Sequence, residues 1–206
     1  MSAYDIDKMS FSDLENRIKL PKYQRPVVWT DTEKKNFISS LHRGFPFGSL
    51  LLYRYPDDLD KYSLIDGQQR FTTMRDYAAN PCSYFPLGDY DYVERIMSLV
   101  GAGAYPEDTK TVLSDKFSRI VKDMLLAHVN QDKNNAALML YLRDRVTEEL
   151  PAVNADSDVR DRLLTLQQEI LNEFDTYLDL NSITIPCIIF KGSESELPDV
   201  FASVNL

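Results

Sequence analysis

The chain has 206 residues, a formal net charge of −9 and a sequence pI near 4.7. Hydrophobic residues make up 44% and charged residues 27%, ordinary for a soluble globular chain holding one large domain or a domain with an insertion. So acidic a chain lacks long-range attraction for duplex DNA, and no apolar run nears the ~20 residues needed to cross a bilayer.

The first residues, Met1-Ser2-Ala3-Tyr4-Asp5-Ile6-Asp7-Lys8, carry none of the basic and apolar regions of a signal peptide, so a cytoplasmic protein is expected. Cys82 and Cys187 stand far apart and read as free thiols of a reducing compartment. His42 and His128 are isolated too, which leaves no zinc pattern.

Ser10 opens a short helix to Arg17, with Phe11, Leu14 and Ile18 at helical spacing. An extended stretch, Ile18 to Pro21, leads into Tyr23-Gln24-Arg25-Pro26-Val27-Val28-Trp29, where Pro26 holds Arg25 out of helical dihedrals. Thr30 and Glu33 have capping-box spacing, and their helix carries Phe37, Ile38 and Leu41 before ending near Gly44. Gly44 to Gly48 is a turn, Ser49–Tyr55 a strand, and Tyr62–Ile65 a second strand.

That second strand runs into Asp66-Gly67-Gln68-Gln69-Arg70-Phe71-Thr72-Thr73. An apolar strand ends in an acid, turns at a glycine and starts a helix whose first turn holds two amides and an arginine. Helix N-termini favour anions, through unpaired N–H donors and the helix dipole. Arg70 adds a planar fork for phosphate oxygens, and Asp66 is placed to hold a metal or orient a water. The plain reading is an Asp-Gly turn before an ordinary helix. Against it stand a second Gln–Arg pair at Gln24 and Arg25, and threonines at 72 and 73 where alanine would suit the helix better. Trp29 reads as core; for Tyr23, base stacking and packing remain open. No Gly-x-x-x-x-Gly-Lys-Ser/Thr sequence occurs, which excludes a P-loop NTPase.

Beyond Asn80 the chain is loop-like to about residue 109, and helices follow near 110–128, 134–149 and 157–179. Strand character returns at Ile183–Phe190, with Pro186 demanding an edge position or a place near one end. Ser193 and Glu196 then cap a last helix containing Val200, Phe201 and Val204. The expected architecture is α/β (α+β): a small mixed sheet with flanking helices from residues 1–80 and 183–206, interrupted by a mostly helical insertion over 81–182. The chain stops at Leu206 within or just after that helix, which reads as the N-terminal piece of a longer protein.

Pro21-x-Tyr23-Gln24-Arg25-x-x-x-Trp29, Ile65-Asp66-Gly67-Gln68-Gln69-Arg70-x-Thr72-Thr73 and Phe201-x-x-x-Asn205 together resemble the N-terminal domain of GmrSD- and SspE-type restriction proteins, within the ParB/sulfiredoxin-like superfamily. The resemblance implies a nucleotide-binding core of that fold, hydrolysing a nucleoside triphosphate with Mg²⁺ (a GTPase-like activity) in bacterial anti-phage defence. It implies a catalytic set of Asp66, Gln68, Gln69 and Arg70, with Asp66 also the metal ligand. Nucleotide contacts would come from Tyr23, Gln24, Arg25, Gly67, Thr72, Thr73 and Asn205. The implied partner is a C-terminal nuclease domain or a partner subunit; DNA would be met through other parts of the system, and homo-oligomers remain open. Asp66→Ala and Arg70→Ala are expected to abolish phosphate release with the fold intact. Gln68 stands where sulfiredoxins carry a cysteine and ParB proteins a glutamate, which excludes thiol chemistry and means that the CTP-switch behaviour of ParB does not transfer automatically. The alternative is a non-hydrolysing, ParB-like module sensing nucleotide or modified DNA.

Overall fold

The computed structural model describes residues 3–19, 28–130 and 136–204. The chain divides into two compact units, one of residues 1–84 with 178–206 and one of residues 85–177.

The first unit is built on a five-stranded mixed sheet in the order β1-β5-β3-β4-β2. Its strands are β1 (Tyr4–Met9), β2 (Ile18–Lys19), β3 (Leu50–Arg54), β4 (Tyr62–Asp66) and β5 (Ile185–Phe190). β5 runs antiparallel to β1 and parallel to β3, while β4 is antiparallel to β3 and parallel to β2. The mixed α/β class expected from the sequence is therefore the class observed. Pro186 occupies the second position of β5, an inner strand, and the ladder to β3 begins only at Cys187. A residue without an N–H is tolerated there because the pairing on that side has not yet started. Burial raises the Cys187 thiol to about 12, which makes it an inert core group.

Three helices cover this sheet with apolar side chains: α1 (Phe11–Arg17), α2 (Asp31–His42) and α3 (Gln68–Ala79). Ser10 accepts from the Asp13 N–H to start α1. Thr30 and Glu33 form the full capping box of α2, each side chain accepting from the other's backbone N–H. Thr30→Ala is expected to cost about 1 kcal/mol, read as a lowered midpoint in urea. Phe37, Ile38 and Leu41 of α2 and Phe71, Met74 and Tyr77 of α3 are buried. The His42 Nε2 atom sits 3.2 Å from the Tyr77 hydroxyl, and burial lowers the pKa of the imidazole. After β5, Ser193 and Glu196 form a second capping box leading into α9 (Leu197–Val204), which packs beside β4.

The second unit is helical: α4 (Tyr92–Leu99), α5 (Glu107–Asn130), α6 (Ala136–Met139), α7 (Tyr141–Glu149) and α8 (Ser157–Leu178). α4 lies within the stretch the sequence reads as loop. Its packing rests on a stack of rings, Phe85 on Tyr90 at 5.0 Å and Tyr90 on Tyr92 at 4.9 Å. The core is Phe117, Val121 and Met124 of α5 with Leu163, Ile170 and Phe174 of α8. Buried Gln167 joins two elements, donating to the Leu138 carbonyl at 2.6 Å and accepting from the Leu142 N–H at 2.8 Å. His128 pairs with Asp175 at 2.8 Å. Among the described residues, no helix is long and apolar enough to cross a membrane.

Candidate functional site

β4 and α3 meet at Gly67, whose φ of 93° and ψ of 18° are left-handed. Glycine is required there twice over. A side chain would strain that backbone, and a Cβ would lie 2.5 Å from Leu50 Cδ2. One step earlier the ladder is irregular: Leu51 pairs with Asp66 but Leu52 pairs with Leu64, so Ile65 is an extra residue. Strict alternation would send Asp66 to the face of buried Tyr62 and Leu64. The bulge breaks that alternation and re-aims the acid, whose side chain keeps 31% exposure.

The start of α3 differs from those of α1 and α2. α1 and α2 begin at a capping hydroxyl and carry acids in their first turns. α3 begins at Gly67 with no side-chain cap and no first-turn acid, and its first intrahelical bond runs from Phe71 N–H to Gly67 O. The positive end of this helix dipole is left without a carboxylate of its own turn.

Consecutive residues of that turn hold two loops. Gln69 Oε1 accepts from the backbone N–H groups of Val28 at 3.1 Å and Trp29 at 3.3 Å. Arg70 donates through Nη1 to the carbonyls of Ser49 at 2.7 Å and Phe47 at 3.5 Å, and through Nη2 to Asp66 Oδ2 at 3.2 Å. Trp29 leans on Phe37 with ring centroids 5.3 Å apart, and Phe37 meets Phe47 edge-on at 5.8 Å. Both loops are thereby fixed to α3 and to one aromatic cluster.

Asp66, Gly67, Gln68, Gln69 and Arg70 thus share one turn, as the sequence leads one to expect. Within it Arg70 is braced against protein oxygens. Thr72 turns its hydroxyl onto its own helix, donating to the carbonyls of Gln68 at 2.8 Å and Gln69 at 3.2 Å. Thr73 is packed into the core, 1% exposed, and its hydroxyl has no partner among the described residues. The Thr72 hydroxyl is thus engaged by its own helix, and the Thr73 hydroxyl is buried. Tyr23, Gln24, Arg25 and Asn205 lie outside the described residues.

Gly48 and Ser49 were read from the sequence only as the end of a turn and the start of a strand. Gly48 has φ of 82°, and a Cβ on it would lie 2.6 Å from Arg70 Nη1. The available signal was a glycine closing a Phe-Pro-Phe turn, a place where close backbone approach is common. A polar cavity of about 250 Å³, lined by Lys34, Lys35, Asp76, Asn80 and Tyr84, is a separate feature of this unit. Along α3, Asp76 is roughly 12 Å from Gln68 at 1.5 Å per residue. There the Tyr84 phenol donates to Asp76 at 2.5 Å, and burial raises its pKa.

An acid, a left-handed glycine and an uncapped helix start call for comparison with proteins of known family. The sequence model of the GmrSD restriction endonuclease, N-terminal domain, matches residues 6–206. The chain belongs to that family. The match takes in both units of this GmrSD N-terminal domain, the helical residues 85–177 included. No curated protein matches the chain. A crystal structure of the C-terminally truncated chromosome-partitioning protein ParB from Caulobacter crescentus, complexed with CTP-γ-S, aligns over 81% of this chain and 99% of that one, at 12% identity and a TM-score of 0.28. Agreement that loose leaves the fold class of this domain resting on its own sheet topology.

Proposed function

We propose that this GmrSD N-terminal domain binds a nucleoside triphosphate with Mg²⁺ at the start of α3 and hydrolyses it to govern a restriction nuclease. The observation that carries the reading is the helix start at Gly67. It has no cap and no first-turn acid, and it sits directly after the re-aimed carboxylate of Asp66. Phosphate is the anion such a turn favours, and a net charge of −9 directs the choice toward nucleotide rather than DNA.

Asp66 fits Mg²⁺, which keeps several waters and needs only one or two carboxylates beside substrate phosphates. Among the described residues no group of three or more His, Cys, Asp or Glu gathers to form a closed metal cage. When bound, the ion would neutralise charge on the phosphate oxygens. The first turn of α3 orients the phosphates, and Gln68 is proposed to orient the attacking water. With the Arg70 fork spent on Asp66, Ser49 and Phe47, the direct cationic grip falls to Arg25, beside Tyr23 and Gln24. Asn205 is proposed as a further contact following α9.

A calorimetric titration with ATP, GTP, CTP and UTP in Mg²⁺, paired with phosphate release, tests this. Micromolar binding of at least one nucleotide is expected, with release lowered by roughly 10²-fold in Asp66→Asn, where an amide replaces the metal-binding charge. No binding at millimolar nucleotide overturns the reading. One observation favours a second reading, in which binding alone is the switch. The Asp66 carboxylate is held by Arg70, so the turn offers no unengaged acid to act as base. Binding without release in the same assay selects it.

A further inference from the structure

Among the described residues, Gln69 links the start of α3 to a distant part of the chain by hydrogen bonds. Its amide oxygen meets two successive backbone N–H groups, Val28 and Trp29, about forty residues earlier. Convergence of successive N–H groups on one acceptor is the geometry of an anion-binding nest, so a side-chain oxygen here makes a directional tie. The next residue, Thr30, is the N-cap of α2, with its N–H already given to Glu33. Gln69 therefore fixes the lead-in of α2 to the second residue of α3. The tied Trp29 packs its indole on Phe37, and it is the protein's single tryptophan.

We propose that Gln69 is a positioning residue that couples occupancy of the α3 start to the backbone at Val28–Trp29. This rests on the nucleotide reading above and adds to it a device of regulation. An anion drawn to the Gly67 turn bears on the same helical turn that carries Gln69, and any shift of that turn is passed to Trp29 through the shared oxygen. The conformation at Val28–Trp29 and the affinity for nucleotide are then linked in both directions.

The test compares Gln69→Met, of similar length but without the acceptor, with Gln69→Glu, which keeps an acceptor oxygen. Amide exchange of the intact chain without nucleotide is measured by NMR. In Gln69→Met the Val28 and Trp29 amides are expected to exchange about five- to tenfold faster, with those of β3 and β5 unchanged. Gln69→Glu is expected to keep or raise their protection, since a charged acceptor holds N–H donors more strongly. Equal exchange in Gln69→Met and wild type overturns the tie, as does equal loss in both variants. In the second arm, GTP with Mg²⁺ is expected to shift Trp29 emission in the wild type and not in Gln69→Met. A full shift in Gln69→Met overturns the coupling. If the wild type binds no nucleotide by calorimetry, the nucleotide reading and the coupling both fail, while the exchange arm still decides the tie on its own.

Discussion

Arg70→Ala is expected to lower the stability of the domain by about 3 kcal/mol, and Arg70→Lys to recover less than half of that loss. The guanidinium is only 21% exposed and serves three oxygens at once: Asp66 Oδ2, Ser49 O and Phe47 O. Truncation leaves Asp66 without its counter-charge and the Ser49 carbonyl without its donor. Hydrogen bonds from a charged group are worth about 1.5–3 kcal/mol each, and the Phe47 contact at 3.5 Å is at the weak end. Lysine restores the charge but presents a compact point instead of a planar fork, so it does not reproduce the spread of Arg70's contacts to Asp66, Ser49 and Phe47. Urea denaturation of the three proteins measures this directly, and a wild-type midpoint in Arg70→Ala would sink the bracing role. The substitution is therefore a poor probe of chemistry, contrary to the sequence-based expectation that it spares the fold. Asp66→Asn is the cleaner one, because its amide oxygen still accepts from Arg70.

The difference between the two expectations lies in where Arg70 finds its partners. Local sequence shows a helix-start arginine four residues after an aspartate, a pattern equally suited to gripping phosphate and to pairing inward. The acceptors that decide between these are backbone carbonyls 21 and 23 residues earlier, and carbonyls carry no sequence signature. The burial of Thr73 is not legible in the sequence for a related reason. The helical period places Phe71, Met74, Tyr77 and Ala78 on one face, yet the buried set includes Thr73 and leaves Ala78 exposed. Packing on the sheet rotates the covered face slightly from the hydrophobic one.

The same contrast runs through the fold. β3, β4 and β5 are legible because each is an apolar run bounded by turn residues, and α2 because its capping box is local. β1 was not recognised as a strand. Its alternation, Tyr4 and Ile6 against Asp5 and Asp7, lasts only four residues before Lys8-Met9 breaks it, and every residue but Met9 is exposed. Only its pairing along β5 makes it a strand, and that partner is nearly the whole chain away. α4 hides for the opposite reason. It is an eight-residue helix set among Pro, Gly and Asp, with rings of neighbouring segments supplying the stabilisation its own length does not.

Gly67→Ala is expected to cost about 2–5 kcal/mol and to remove nucleotide binding together with it. Two separable terms make up that cost. A φ of 93° strains any L-residue, by about 1–2 kcal/mol. The added methyl also collides with Leu50 Cδ2 at 2.5 Å, while Leu50 Cα at 3.5 Å is in ordinary contact. Leu50 is 1% exposed and leads β3, so neither its side chain nor its backbone can withdraw without disturbing the strand beside Asp66. Gly67→Asn separates the terms, since asparagine tolerates the left-handed region but its Cβ meets the same leucine. Leu50→Ala combined with Gly67→Ala separates them again, because it deletes Cδ2 and leaves the backbone strain. The double mutant is expected to be more stable than the sum of the single losses by about 1 kcal/mol or more. Strict additivity would mean that Gly67 is needed for its dihedral alone. The expected coupling means instead that β3 dictates the approach of the chain at Gly67, and so fixes where the open end of α3 points.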